Sequence, residues 1–246
     1  MKFIELHDRI RLPYMEQGDV SGVPVLLLHG FAGSWRVFEP VLAHLPDSIH
    51  AFALTQRGHG EASKPEQGYR LCDLAGDVAA FMDDLDLEAA VIGGHSMGSA
   101  VARRFAIDHA ERTLGLVLAG ACVTRPGDPS FVHEAGDDTY AQPIPQDVFK
   151  MLVEDSQKVP PQVWEAARKG RLETDLSDEL DEIKAPTLIV WGDQDTRCPR
   201  SDQETLLAEI VDARLVVYQG AGHGLHVEEP ERFASDLAAF VQERVD

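Results

Sequence analysis

The chain has few cysteines, few basic residues and no long hydrophobic run. Its three cysteines, Cys72, Cys122 and Cys198, are widely spaced and form no C-x-x-C pair. That pattern argues against a disulfide framework and a zinc knuckle, and it favours a reducing compartment. The longest purely aliphatic stretch is Val25 to Leu28, and the first ten residues include charged side chains. We therefore expect neither a signal peptide nor a membrane span, and we predict a cytoplasmic protein.

Basic residues are outnumbered by acidic ones. The chain has 22 Lys and Arg against 42 Asp and Glu, which gives a formal net charge of −20 with neutral His. Nucleic-acid affinity comes largely from cationic side chains that neutralise phosphates, so we expect no nucleic-acid partner. The acidity is dispersed along the chain, which is typical of a solubilising surface. It also favours a neutral or cationic substrate over an anionic one.

What is present indicates a folded α/β protein. The chain has 246 residues, of which 44% are hydrophobic and 26% charged, close to the averages of globular domains. Short apolar runs typical of strands buried in a parallel sheet occur at Val25–His29, Ala89–Gly93, Leu114–Ala119, Thr187–Trp191 and Arg214–Tyr218. Stretches of helical length alternate with them at Trp35–Leu45, Cys72–Leu85, Gly98–His109, Asp202–Ile210 and Pro230–Val241. The alternation predicts a doubly wound sheet.

The composition changes in the middle of the chain. Residues 124–145 are rich in Pro, Gly and Asp, helical patterns follow them, and the buried-strand pattern returns at Pro186. We predict one α/β domain formed by residues 1–122 and 185–246, with a helical insertion over residues 123–184. No internal repeat is visible, which excludes a solenoid.

One motif of the sequence indicates a catalytic nucleophile. Gly94 to Gly98 read G-x-S-x-G, with Ser96 at the centre, between a buried strand and a helix. A nucleophile on so sharp a turn needs close neighbours without side chains, which accounts for both glycines. A serine hydroxyl is a weak nucleophile at neutral pH. A base must therefore take its proton, and an acid must orient that base.

Three further segments give the chain its likeness to a known family. They are His29–Phe31, Trp191–Asp195 and Gly220–His223. With the G-x-S-x-G turn, they resemble the α/β-hydrolase superfamily, and the whole is similar to a serine esterase-like member with a small cap. The resemblance implies the α/β-hydrolase fold, with a doubly wound, mostly parallel sheet and a small helical cap inserted after the sixth strand. It also implies an oxyanion hole made by the backbone N–H groups of Phe31 and Met97.

The resemblance also assigns a catalytic triad. Ser96 would be the nucleophile, Asp195 the orienting acid and His223 the general base. His226 competes for the role of base, but the glycine-rich frame around His223 suits a tight loop that presents it. Asp193 competes for the role of acid, and the family's usual spacing after the glycine selects Asp195, which leaves Asp193 as a turn former.

A serine at position 96 implies acyl transfer to water. We predict a serine hydrolase of the carboxylesterase type, acting on a small to medium, mostly apolar, neutral carboxylic ester through an acyl-enzyme. The candidate pocket residues are the large apolar side chains Trp35, Phe131, Phe149, Trp164 and Leu225. We expect no cofactor and no metal, because there is neither an H-E-x-x-H motif nor a Cys and His cluster. No feature of the sequence indicates an oligomeric state.

Two alternatives stay open at this point. Carbon–carbon bond or enol-lactone hydrolases of this superfamily use the same triad and often hold a substrate carboxylate with a cationic side chain. Arg125, Arg168 and Lys169, in or beside the insertion, are the candidates for that role. A member of another functional class, a ligand receptor that turns over slowly or not at all, would also retain the triad.

Overall fold

A computed structural model describes residues 1–6, 9–123 and 139–243 of the chain. Eight strands are found in these ranges: β1 (Lys2–Glu5), β2 (Arg11–Gln17), β3 (Val23–Leu28), β4 (Ile49–Leu54), β5 (Ala90–His95), β6 (Thr113–Ala119), β7 (Thr187–Gly192) and β8 (Ala213–Tyr218). They form one sheet in the order β1-β2-β4-β3-β5-β6-β7-β8. β1, β2 and β4 pair antiparallel in turn, and every later pair is parallel.

Helices cover both faces of the sheet. They are α1 (Glu39–Leu42), α2 (Leu71–Asp84), α3 (Met97–Asp108), α4 (Gln146–Ser156), α5 (Pro161–Leu172), α6 (Arg200–Glu209), α7 (Leu225–Glu228) and α8 (Pro230–Gln242). Short 3₁₀ helices lie at Trp35–Phe38, Ala110–Arg112 and Ser177–Glu182. One apolar cluster packs α2 and α3 against the sheet, and a second packs α1 and α8 against the other face. No described helix is long and apolar enough to cross a bilayer.

The strand order reverses between β3 and β5, which are parallel neighbours. β3 is followed across the sheet by β4 on one side, whereas β5 is followed by β6 on the other. In open α/β sheets the crevice at the carboxyl ends of the strands beside such a reversal is where ligands bind. We therefore expect a ligand site at the loops that follow Leu28 and His95.

A helical insertion follows β6 and packs over this end of the sheet. The carboxylate of Asp155, at the end of α4, is almost fully buried and accepts a hydrogen bond from the Ser34 hydroxyl. Arg36 and Lys158 pair with the same carboxylate. In α5 the Trp164 ring packs edge-on against Phe31, with centroids 4.3 Å apart. Both helices are thus fastened to loops of the sheet domain.

The structure confirms the α/β-hydrolase fold predicted from the sequence, and it corrects two local expectations. The helix predicted over Trp35–Leu45 is instead a 3₁₀ turn followed by the four-residue α1. The pattern of apolar runs also does not predict β1, β2 and β4. β4 is fully buried although it contains His50, and the edge pair β1 and β2 includes charged residues and Pro13.

Candidate active site

Ser96 lies on a strained turn between β5 and α3. Its backbone has φ 51° and ψ −113°, a conformation that side-chain-bearing residues rarely adopt. A Cβ on Gly94 would come within 2.1 Å of the Gly98 carbonyl oxygen, and a Cβ on Gly98 within 2.1 Å of the Leu28 carbonyl oxygen. Both glycines of the motif are therefore required by close backbone approach, which exposes the Ser96 side chain above the sheet.

His223 and Asp195 are hydrogen bonded to each other at the ends of β8 and β7. The Nδ1 atom of His223 donates to Oδ2 of Asp195 over 2.9 Å, and both side chains are buried. The other carboxylate oxygen, Oδ1, accepts the backbone N–H groups of Arg197 and Cys198 at 2.8 and 3.0 Å. This arrangement leaves Nε2 of His223 as the proton acceptor. Ser96 and His223 line the same cleft, and the Ser96 hydroxyl makes no hydrogen bond to another described residue.

The two rival residues have different surroundings. Asp193 accepts the backbone N–H of Gly220 over 2.7 Å and so fastens the turn after β8. His226 lies three residues beyond His223 in α7, buried beside the rings of His95 and Phe38. Neither of its nitrogens has a hydrogen-bond partner among the described residues, and burial lowers its pKa to about 3. The geometry thus joins an acid to His223 and not to His226.

His95 holds the backbone of the histidine loop. Its Nε2 donates to the carbonyl oxygen of His223 over 2.9 Å, which requires the proton on that nitrogen. Burial in the apolar surroundings is the main cause that keeps the pKa of His95 well below its usual value. His95 is therefore neutral and acts on the site through the position of His223.

The loop after β3 lies directly against the nucleophile. A Cβ on Gly30 would come within 2.7 Å of His95 Nδ1 and 3.2 Å of the Ser96 Cβ. Nδ1 of His29 donates to the Gly30 carbonyl, and its Nε2 accepts the N–H of Gln56. Within the described ranges the N–H groups of Phe31 and Met97 donate to no other residue. Two free N–H groups beside Ser96 are what an oxyanion hole needs.

The cleft is lined by residues of these loops and of the insertion. Leu152 of α4, with Thr139 and Tyr140 at the start of the described part of the insertion, forms one wall. Arg197, two residues after Asp195, also lines the cleft, and the sequence reading did not select it. Its only sequence signal is its place in the loop that carries the proposed acid.

Four of the five predicted pocket residues lie elsewhere, and the fifth, Phe131, is outside the described residues. Trp35 is buried in the core beside α1, where its backbone N–H donates to the Thr55 hydroxyl. The Trp164 ring packs against Phe31 and is not among the residues that line the cleft. Phe149 lies on α4 with 39% of its surface exposed, and Leu225 is fully buried in the core. Trp164 therefore packs the insertion onto the sheet domain through Phe31.

A disulfide joins the loops after β6 and β7, which corrects the expectation drawn from the cysteine spacing. Cys122 and Cys198 are bonded across a sequence separation of 76 residues, and both line the cleft. Cys72 is free and exposed. Ligand atoms of Asp195, Cys198 and His223 also lie within 4.8 Å of one another, but the sulfur is bonded to Cys122 and the other two residues bind each other.

Comparison with known proteins agrees with this architecture. A model of the Alpha/beta hydrolase family matches residues 25–236. The AB hydrolase superfamily protein YisY of Bacillus subtilis (strain 168) is 31% identical over 245 residues, covering 89% of this chain and 91% of its own length. A non-heme chloroperoxidase of Streptomyces lividans is 29% identical, covering 98% and 100%. An esterase structure from Exiguobacterium antarcticum superposes with a TM-score of 0.88 at 25% identity, covering 98% and 99%. The chain belongs to the alpha/beta hydrolase family and is an enzyme of the hydrolase type.

Proposed function

We propose that the protein is a serine hydrolase that cleaves carboxylic esters through an acyl-enzyme on Ser96. The observation that carries the proposal is one cleft that holds a serine on a strained turn and a histidine hydrogen bonded to a buried carboxylate. The similarity to the Exiguobacterium antarcticum esterase favours the same reaction class. The proposed triad is Ser96, His223 and Asp195, as the sequence predicted.

The reaction follows from the placement of these groups. Nε2 of His223 takes the proton from the Ser96 hydroxyl as its oxygen bonds to the ester carbonyl carbon. The oxyanion that forms is stabilised by the N–H groups of Phe31 and Met97. His223 then returns the proton to the departing alcohol. Water, activated by the same histidine, hydrolyses the acyl-enzyme and releases the acid.

We also propose that residues 123–184 act as a cap, with the sheet domain formed by residues 1–122 and 185–246. Leu152 lines the cleft from α4. Trp164 of α5 packs against Phe31, the residue assigned to the oxyanion hole. A cap in this position excludes water from the acyl-enzyme except along the cleft. In the part of this segment that the structure describes, α4 and α5 form a small cap, which suits a small to medium substrate.

Labelling with a fluorophosphonate, followed by peptide mapping, tests the nucleophile directly. We expect the label on Ser96, and we expect Ser96→Ala to lower kcat for p-nitrophenyl esters by roughly 10⁴- to 10⁶-fold, as in other serine triads. Ser201→Ala is the matched control, because Ser201 is an exposed serine in the first turn of α6. It should retain wild-type labelling and turnover.

Other outcomes of the same assay would contradict the proposal. Label on another residue, or a Ser96→Ala variant with near wild-type turnover, would remove the assigned nucleophile. A stoichiometric burst without steady-state turnover across an ester chain-length panel would point to a ligand receptor that retains the triad. A rate that requires hydrogen peroxide as the acyl acceptor would point instead to the activity in the name of the Streptomyces lividans relative.

A further inference from the structure

The loop that carries His223, residues 219–224, lies against the start of the described part of the insertion. The backbone N–H of Gly224 donates to the carbonyl oxygen of Thr139 over 2.9 Å. The Tyr140 ring lies so close to the same glycine that a Cβ on Gly224 would come within 2.2 Å of it. The position of the proposed base therefore depends on where the first described residues of the insertion lie.

One carboxylate binds both of these segments. Glu228 is the last residue of α7, and its Oε1 accepts the backbone N–H of Gly222 over 2.9 Å. Its Oε2 accepts the backbone N–H of Gln142 over 2.9 Å and lies 3.2 Å from the Gly222 nitrogen. Gly222 immediately precedes His223 in the chain. Glu228 thus fastens the backbone beside the proposed base to the insertion.

The surroundings of Glu228 stabilise an ionised carboxylate. Burial raises the pKa of the Glu228 carboxyl, but the backbone N–H groups of Gln142, Gly222 and Ala141 oppose that shift because they stabilise the charged form. A Cβ on Gly222 would come within 2.7 Å of the Ala141 nitrogen and 3.1 Å of Glu228 Oε1, so the close approach requires a glycine there. Hydrogen bonds to an ionised acceptor are roughly twice as strong as those between neutral groups.

The same part of the insertion belongs to the cleft. Thr139 and Tyr140 line it, and Nη2 of Arg197, in the loop of the proposed acid, donates to the Thr139 hydroxyl over 2.8 Å. To act as the base, His223 must bring Nε2 within hydrogen-bond reach of the Ser96 hydroxyl. A misplacement of about 1 Å at a reacting group can lower a rate by roughly 100-fold. A contact that fixes the loop of His223 therefore affects the chemistry.

We propose that Glu228 is a positioning residue, whose carboxylate holds the loop of His223 against the insertion and so keeps Nε2 in place to take the Ser96 proton. Glu228 is not among the described residues that line the cleft, so it acts through the histidine and not on the substrate. This inference rests on the proposed ester hydrolysis and adds a residue to its machinery. Without the carboxylate, the backbone N–H groups of Gly222 and Gln142 lose their acceptor, and the two segments are no longer joined there.

Glu228→Gln tests this role with little change in side-chain volume. The amide keeps one oxygen acceptor, but its NH₂ group faces backbone N–H groups that are also donors. We expect kcat for a p-nitrophenyl ester to fall roughly 10- to 100-fold, with KM within about threefold of wild type. Glu229→Gln is the matched control, because it changes the net charge equally and its carboxylate pairs with exposed Arg232. It should retain the wild-type kcat.

Glu228→Asp is a second variant, which serves if Glu228→Gln does not fold. It keeps the negative charge, but its side chain is one carbon shorter and cannot reach both segments as glutamate does. We expect kcat to fall by roughly three- to tenfold, again with little change in KM. Wild-type kcat in a folded Glu228→Asp or Glu228→Gln protein would overturn the proposal.

A double-mutant cycle shows whether the loss passes through His223. In the His223→Ala protein no base has to be positioned, so adding Glu228→Gln should change the residual rate by less than about twofold. The uncatalysed rate is subtracted with the Ser96→Ala protein. If Glu228 only stabilised the fold or shaped the cleft, the residual rate would fall by the same factor as in the wild-type background. Equal factors in the two backgrounds would therefore overturn the proposal.

The rate of fluorophosphonate labelling at Ser96 separates this inference from the proposed function. Phosphonylation needs the same base, so its second-order rate constant should fall in Glu228→Gln even if no ester in the panel turns over. An unchanged labelling rate would overturn the role of Glu228 and leave Ser96 as the nucleophile. A wild-type protein that shows neither labelling nor turnover would remove the nucleophile, and the role of Glu228 with it.

Discussion

At the scale of single residues, Asp195 divides its two oxygens between the base and the loop. Oδ2 accepts from His223, whereas Oδ1 accepts two backbone N–H groups that close the turn before α6. Asp193, two residues earlier, instead accepts a hydrogen bond from the backbone N–H of Gly220. The two aspartates therefore allow a matched comparison between a residue that orients the base and one that fastens a turn.

Replacing Asp195 by Asn should cost far more activity than replacing Asp193 by Asn. An amide at position 195 removes the negative charge that stabilises the imidazolium and can hold the wrong tautomer, so kcat should fall by roughly 10³- to 10⁴-fold. Asp193→Asn keeps an oxygen acceptor for Gly220, and we expect kcat within about threefold of wild type. Steady-state kinetics on one aryl ester, with melting temperatures to verify folding, measures both. Near-full activity in Asp195→Asn would refute the assignment of the acid.

The sequence predicted the candidate triad more fully than its surroundings. Ser96 was predicted as the nucleophile because a serine between two glycines, after a buried strand and before a helix, is typical of few other structures. Arg197 was not, because a charged residue in a polar loop has no sequence feature that tells whether it faces the cleft or the solvent. Trp164 shows the converse error: a large apolar side chain on an amphipathic helix can line a cavity or pack against the core, and only the position of Phe31 decides between them.

At the scale of elements, continuous apolar runs identified the central strands and failed at the sheet edge. β3 and β7 read as unbroken runs because both of their faces are covered. β4 was missed because of its histidine, which packs against Phe52 and contacts the Glu16 carboxylate instead of interrupting the strand. Strand pairing is a long-range property, so half-exposed edge strands such as β1 leave little local signal.

The disulfide between the loops after β6 and β7 should contribute measurably to stability. Closing a loop across a separation of 76 residues restricts the unfolded chain, and the loop-entropy relation gives about 4.5 kcal/mol for such a length. Dithiothreitol should therefore shift the urea unfolding curve to lower denaturant concentration. Cys72→Ser is the control, because Cys72 is exposed and unbonded, and it should respond to the reductant as wild type does.

Thiol counting in denaturant provides the direct check on this bond. We expect one reactive thiol per chain before reduction and three after it, since the chain has three cysteines of which two are bonded. Three reactive thiols in the unreduced protein would contradict the disulfide. In that case the unfolding curve should also be insensitive to dithiothreitol.

At the scale of the whole molecule, several uncharged histidines are enclosed around the cleft. Burial is the largest cause in each case: it lowers the pKa of His29 and of His226 to about 3 and that of His59 to about 4. In the unfolded chain the same rings titrate near pH 6.5. Between these values the unfolded state binds protons that the folded state does not, so stability falls as the pH is lowered from about 6.5 toward 4.

The free energy of unfolding should therefore decrease steeply on mild acidification. At pH 5 each such histidine lowers stability by roughly 2 kcal/mol relative to pH 8. Urea unfolding at intervals between pH 8 and pH 4.5 measures the slope, and His226→Leu should reduce it by close to one proton, because the leucine cannot titrate. His44→Gln controls for the loss of one histidine, since His44 is exposed, and should leave the slope unchanged. A His226→Leu protein with the wild-type slope would mean that His226 is already protonated or solvated in the folded state.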